Sequence, residues 1–314
     1  ICSQTMPKIQ PYLDYNSEYP KTVYTSNSEL FYLLREKNIS CNLTNATWIR
    51  DVGNLNRQGS LVLQKTYVSP EVLKQFDLAL HLERAIIANN ANQMQFPQYS
   101  LGHTYKANEN VEKWISNLKN VNVTYSGIPL EGGNVLRIEN PENTTQYLVG
   151  KDSIRLVWMT ESCSYEEALD KIAATLNIDV HNLIPLTQAE YHLDMNLLPI
   201  SPGIIFLNRP RKQCVFTTMS ANELRQAGFK VHLIEGKNNS MNLFNCFSFE
   251  SKGEIYFVFS QFKKTLNNNL IFNEFLDLLQ KHIGKVNVEF VDSLLDKGGG
   301  VRCQSLTVQN KPLK

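Results

Sequence analysis

Four short stretches carry side chains that could do covalent chemistry. "TWIRDVGN" holds Arg50 and Asp51, "PLEGGNVLR" holds Glu131 and Asn134, "YHLD" holds His192 and Asp194, and "DKGGGVRCQS" holds Arg302 and Cys303. A free cysteine is most often a small buried hydrophobe. Core cysteines usually sit inside apolar runs, however, and Cys303 follows Gly298-Gly299-Gly300 with Arg302 beside it. A neighbouring cation lowers a thiol's pKa, and glycine lets a ligand approach the backbone closely. Cys303 therefore reads either as an inert core residue or as a nucleophile, and the glycines either as a loose turn or as an access route. If 192–196 is extended, His192 and Asp194 share a face. They could then form a general acid with a charged neighbour or a polar pair at a sheet edge. No third ligand accompanies them in the sequence, so no metal is expected. Asp51 and Glu131 each read alone as turn carboxylates. The paired glycines Gly132-Gly133 would weaken a strand, so the backbone there must bend or approach something closely.

Taken together, the set is more informative. A cysteine with a histidine suggests covalent catalysis. Three carboxylates do not suit a cysteine protease, whose substrate is a neutral amide. They suit a planar cation with several N–H donors, and guanidinium pairs with carboxylates in a bidentate manner.

Strand-like and helix-like patterns alternate along the whole chain, which predicts a single α/β domain over 1–314. Strands are expected at Leu61–Val68, Val135–Glu139, Ile154–Met159, Gly203–Asn208, Lys230–Glu235, Glu254–Phe259 and Val286–Val291. One helix starts at Ser69-Pro70, and capping boxes are expected at Ser164/Glu167 and Ser220/Glu223. A last helix stops at Gly284. No phosphate-binding glycine loop is present: "GGGVRC" lacks the Lys-Ser/Thr of a P-loop.

With 42% hydrophobic and 19% charged residues, the composition is that of a globular protein. A net charge of +1 gives no reason to expect nucleic-acid binding, and no apolar run is long enough to span a membrane. The six cysteines are scattered without a C-x-x-C pair, so neither a zinc site nor a disulfide scaffold is expected. The six Asn-x-Ser/Thr sequons, at Asn38, Asn42, Asn45, Asn122, Asn143 and Asn238, are weak evidence for secretion in an asparagine-rich chain. A soluble cytoplasmic protein is the expectation. Secretion is the alternative, because the chain begins at Ile1 rather than Met.

In the same order, "WIRD", "LEGGN", "YHLD" and "GGGVRC" resemble the motifs of the guanidino-group-modifying enzymes. These include arginine deiminase, agmatine deiminase, bacterial peptidylarginine deiminase and the glycine amidinotransferases. The matching pieces span Trp48 to Cys303. The resemblance implies a pentein α/β propeller of five pseudo-symmetric ββαβ-type units with its site in the central channel. It also implies hydrolysis of arginine or an arginine derivative to a ureido product plus ammonia, without a cofactor. Cys303 would attack the guanidinium carbon to form a thiouronium. His192 would protonate the departing ammonia and then activate water. Asp51, Asp194 and Glu131 would hold guanidinium N–H groups, and Glu131 would also orient His192. The partner is a small-molecule or peptidyl guanidine.

The chain departs from the family in places. Asn134, expected with Asp51 among the substrate-binding residues, stands where arginine deiminases have aspartate, and Arg302 replaces the histidine that often precedes the nucleophile. The helical insertion of full-length arginine deiminases is also missing. A free amino acid would need a cation for its carboxylate, and Arg302 and Lys151 are the candidates, with Arg137 a further one. An amidinotransferase and a non-catalytic binding protein on the same scaffold are the alternative readings.

Overall fold

The computed structural model describes residues 21–44, 50, 53–58, 60–64, 68–88, 121–190, 192–210, 214–238, 241–261, 270–292 and 301–309. In chain order the elements begin with β1 (Lys21–Thr25), α1 (Ser28–Glu36), β2 (Cys41–Leu43), β3 (Gly53–Leu55), β4 (Leu61–Leu63), α2 (Pro70–Ala88) and β5 (Val123–Tyr125). Next come β6 (Val135–Glu139), β7 (Thr145–Gly150), α3 (Lys151–Glu161), α4 (Tyr165–Leu176), β8 (Leu183–Leu186), β9 (Leu197–Ser201), β10 (Ile204–Asn208), α5 (Val215–Gln226) and β11 (Lys230–Ile234). The last are β12 (Lys237–Asn238), β13 (Met241–Ser251), β14 (Glu254–Gln261), α6 (Leu270–Ile283), β15 (Asn287–Asp292) and β16 (Ser305–Gln309).

Among the described residues the strands form five small sheets with one repeated plan. A first strand pairs antiparallel with a second, and the second pairs parallel with a third. The pairs are β3-β4-β5, β6-β7-β8, β9-β10-β11 and β13-β14-β15, the last with β12 added at its edge. The fifth sheet joins the two ends of the chain. β16 pairs antiparallel with β1, from Lys21↔Gln309 to Thr25↔Ser305, and β1 runs parallel to β2. Parallel neighbours need a crossover, and helical segments lie between the second and third strands of every sheet.

Most of the expected helices form, for the reasons the sequence offers. Ser164 and Glu167 make both hydrogen bonds of a capping box at the start of α4. Ser69 Oγ accepts from Val72 N at 3.3 Å, ahead of Pro70. Gly284 adopts φ +80°, and its N–H closes the end of α6 on Gln280 O. Along α6, Phe275, Leu279 and Ile283 recur every four residues and are buried. Each contributes about 1.5–3 kcal/mol against the β13–β14 aromatic core that includes Phe244 and Phe259.

Three expectations are corrected. Ile154–Met159, expected as a strand, lies inside helix α3. Its β-branched residues suggested a strand, but burial of Ser153, Ile154, Leu156 and Val157 follows the helical period. Ser220 is not a cap: α5 starts at Val215, and Ser220 lies inside it, its hydroxyl shared between the acceptors Phe216 O of the preceding turn and Thr187 O beyond β8. Glu223 instead accepts from Thr187 N and Oγ1. The strand expected at Leu61–Val68 ends at Leu63, and 65–67 lie outside the described residues.

The segments that lead into the first strands, and β13 itself, are tied from sheet to sheet by hydrogen bonds. Asn54 Nδ2 donates to Leu130 O at 3.0 Å, and Leu193 N to Asn134 Oδ1 at 3.1 Å. Asn242 Nδ2 donates to Met195 O at 3.1 Å, and Cys303 N to Asn245 Oδ1 at 3.2 Å. Arg50 N donates to Cys303 O at 3.2 Å, which returns the series to the sheet where it began. Residues as distant in sequence as Arg50 and Cys303 are thereby brought into contact.

Candidate active site

Four of those segments carry the residues singled out from the sequence. Glu131 precedes a 3-10 turn, Gly132–Asn134, that leads into β6. His192 precedes a second such turn, Leu193–Met195, that leads into β9. Cys303 stands two residues before β16, and Arg50 three before β3. Asp51 and Gly298–Gly300 lie outside the described residues.

The glycine pair has a steric cause. A Cβ on Gly132 would stand 2.1 Å from Arg50 O, and one on Gly133 would stand 2.5 Å from His192 Nδ1. Backbone thus lies against one glycine and the imidazole against the other. His192 Nε2 is held 3.0 Å from Glu131 Oε2, and both side chains are 3% exposed. Asn134 Oδ1 accepts from Gln188 Nε2 at 2.9 Å as well as from Leu193 N, so it holds the turn that carries Asp194.

The turn brings His192 and Asp194 together by a different route from the expected extended segment. His192 itself is extended, at φ −120° and ψ 147°, and Leu193–Met195 then coil. The ligand atoms of His192, Asp194 and Cys303 all lie within 4.8 Å of one another, and all three residues are buried. Imidazole, carboxylate and thiol are also the donor types of a transition-metal site. The sequence offered no third ligand for the His192–Asp194 pair; the fold supplies one in Cys303.

The thiol is framed by residues that were not picked out from the sequence. Asn245 Nδ2 stands 3.2 Å from Cys303 Sγ and 3.4 Å from Asp194 O. Its Oδ1 accepts from Arg302 N at 3.1 Å and from Cys303 N. Met195 Sδ lies 3.9 Å from Cys303 Sγ. The signal was present in "MNLFNCFSF", where two asparagines interrupt an apolar strand. Asn242 and Asn245 are both buried there, and the strand pairing breaks register between Asn242 and Phe247. Buried amides inside an apolar run need partners, and theirs are the site segments.

Asp194 is fully buried, and neither carboxylate oxygen has a hydrogen bond among the described residues. Arg50 Nε lies 3.6 Å from its Oδ2. Arg302, next to Cys303 in the sequence, is buried. Lys151 is half-exposed and ion-paired with Glu223 at 2.8 Å. Among the described residues its hydrogen bonding is to Glu223, not to the Cys303 cluster.

No protein-family profile matches the chain, and no curated protein matches it significantly. Solved structures do resemble it. The agmatine deiminase of C. jejuni aligns over 97% of this chain and 86% of its own, at 14% identity and a TM-score of 0.56. The agmatine deiminase of Enterococcus faecalis aligns over 99% and 98%, at 11% identity and a TM-score of 0.53. The chain has the α/β fold of the pentein, guanidino-group-modifying enzymes.

Proposed function

We propose that the protein is a cysteine-dependent hydrolase that converts the guanidinium group of arginine or an arginine derivative to a ureido group plus ammonia. The observation that carries this reading is the buried cluster of His192, Asp194 and Cys303, with Glu131 on the imidazole. It joins a nucleophile, a proton carrier and two carboxylates, on a fold shared with agmatine deiminases.

In this reading Asp194, Glu131 and Asp51 bind the substrate cation. The Cys303 thiolate adds to the guanidinium carbon, and His192 passes its proton to the departing nitrogen, which leaves as ammonia. His192 then takes a proton from a water that adds to the thiouronium carbon. Collapse expels the thiolate, and the hydroxyl proton passes to the released ammonia, which leaves as ammonium, so the ureido product is neutral. Asn134 serves by holding the His192–Asp194 turn. Arg302, buried and next to Cys303 in the sequence, is the candidate for a substrate carboxylate in preference to Lys151, whose charge is already met by Glu223. The repeated strand plan and the hydrogen bonds that return from Cys303 to Arg50 support a five-unit pentein propeller, a single catalytic domain over 1–314.

The test is incubation with arginine, agmatine and an arginine-containing peptide with blocked termini, reading ureido product and ammonia. Ureido product from any of the three supports the reaction. Release of ammonia without it, or no turnover of any guanidine, would sink it. Turnover of the blocked peptide but not of free arginine would overturn the preference for arginine and the role given to Arg302.

A further inference from the structure

Asn134 holds the turn that carries Asp194, and Asn134 must itself be held. Its Oδ1 accepts from Leu193 N at 3.1 Å, and its Nδ2 stands 3.5 Å from Glu131 Oε2, the oxygen that also meets His192 Nε2. The amide turned end for end would break the first bond and set Oδ1 against the carboxylate. Gln188 Nε2, 2.9 Å from Asn134 Oδ1, gives that oxygen a second donor and favours the orientation found.

Gln188 is fixed from its other side. Its Oε1 accepts at 3.0 Å from Asp152 N, in the first turn of α3. The N–H groups of a first turn lack partners within their own helix. Because Oε1 takes that N–H, Nε2 has to face Asn134. Arg84 Nη2 donates to Gln188 O at 3.2 Å and to Asp152 Oδ2 at 2.8 Å, so it holds both sides of the contact. Room for the amide comes from Gly150. At φ −61° and ψ 130° any residue could stand there, but a Cβ would lie 2.1 Å from Gln188 Oε1. The glycine is needed for space, not for conformation.

We infer that Gln188 is a positioning residue of the site: through Asn134 it sets the Leu193–Met195 turn, and with it where His192 and Asp194 stand toward Cys303. The inference rests on the proposed function for what the site does. How the site is held rests on the series from Asp152 N through Gln188 and Asn134 to Leu193 N. A residue that acts through Asn134 has a signature. Its effect disappears when Asn134 is gone.

Steady-state kinetics on the best guanidine, with hydrogen exchange of the Leu193 N–H read by NMR, test this in the unsubstituted chain, Gln188→Met, Asn134→Ala and the double variant. Gln188→Met fills the space without a polar end and should lower kcat/KM about tenfold while speeding exchange at Leu193. Gly150→Ala, which displaces only the end of a flexible side chain, should do the same, and it takes over if Gln188→Met does not fold. Added to Asn134→Ala, Gln188→Met should cost less than about twofold more. A further loss as large as in the single variant would mean that Gln188 does not act through Asn134, and would overturn the inference. So would a lower Tm with kcat/KM unchanged, or failure of both single variants to fold. If the unsubstituted chain turns over a guanidine while neither rate nor exchange responds, the inference alone fails. If no guanidine is turned over but the exchange at Leu193 shows the same change and the same non-additivity, the proposed function fails and the positioning stands. If there is neither turnover nor a response in exchange, both fail.

Discussion

Among the described residues, His192 and the pair His232–His282 are imidazoles with opposite surroundings. His192 faces anionic partners: Glu131 Oε2 at 3.0 Å, with the Asp194 carboxylate and the Cys303 thiol close by. His232 on β11 and His282 on α6 face each other, with ring centroids 4.8 Å apart and planes at 56°. Both set their edges to Phe206, at 5.7 and 6.0 Å. The charges that bear on them are Lys230 and Lys281. Among the described residues, the buried Nε2 of each has no hydrogen-bond partner. One imidazole has an anion ready to receive its positive charge, and the other two have only cations. In the function proposed above His192 would carry a proton, whereas burial and neighbouring cations favour the neutral form of the pair between α6 and the third sheet.

The comparison breaks most directly in the site. Cys303→Ala should show no measurable turnover, and His192→Ala should lose about 10³-fold or more, since both bond-making and proton transfer are removed. His232→Phe and His282→Phe should leave turnover at neutral pH close to the original. Steady-state rates on the best guanidine decide the matter. Equal losses from the two groups of histidines would erase the distinction.

Next in size is Glu131→Gln. The amide keeps the shape but removes the charge from His192 and from the substrate, so kcat/KM should fall about 10²-fold. Unchanged efficiency would mean that the 3.0 Å contact to His192 does no electrostatic work.

Asn245 sharpens the contrast from the thiol's side. Asn245→Ala strips Cys303 N and Arg302 N of their acceptor and Cys303 Sγ of its donor. Turnover should fall about tenfold or more, with a lower Tm, since each unmet buried group costs about 1–3 kcal/mol. Asn245→Asp restores the acceptor but not the donor, and it sets a like charge beside the thiolate. It should recover Tm more than activity, and it should raise the pH at which iodoacetamide begins to alkylate Cys303. Parallel recovery of both would leave Asn245 a purely structural role.

Motifs survive in a sequence better than the shapes that bring them together. That Glu131, His192, Asp194 and Cys303 belong together was legible because their residue types are an unusual set, and the fold does gather them; Ser164/Glu167 was legible because a capping box is local. Asn245 and Met195 were not legible as site residues, since nothing in their own strands indicates that Cys303 will lie against them. Ile154–Val157 misled because β-branched residues fit a strand by composition, while burial along α3 is decided by packing. Even the glycine pair showed only that something comes close. That the close neighbours are Arg50 O and His192 is a property of the repeat, not of the stretch.

The smallest effect belongs to the interfacial histidines, and its sign follows from their setting. Burial lowers the pKa of both below the usual histidine value, and for His232 the neighbouring His282, Lys230 and Lys281 add to it. Lys230 and Lys281 do the same for His282. Unfolded histidine titrates near about 6.5, so below that pH the unfolded chain binds protons that the folded chain resists. Their contribution to stability is therefore complete above that pH and is lost as the pH falls through the lower folded values. Between pH 7.5 and 5, the fall in Tm of the His232→Phe/His282→Phe double variant should be a few degrees smaller than that of the original protein. His282→Gln, which cannot become charged but keeps polar atoms, should give part of that change. Thermal melts across the range measure it. An identical acid slope in all three proteins would mean that the pair does not titrate with folding, and the opposition between the two imidazole environments would then be one of geometry only.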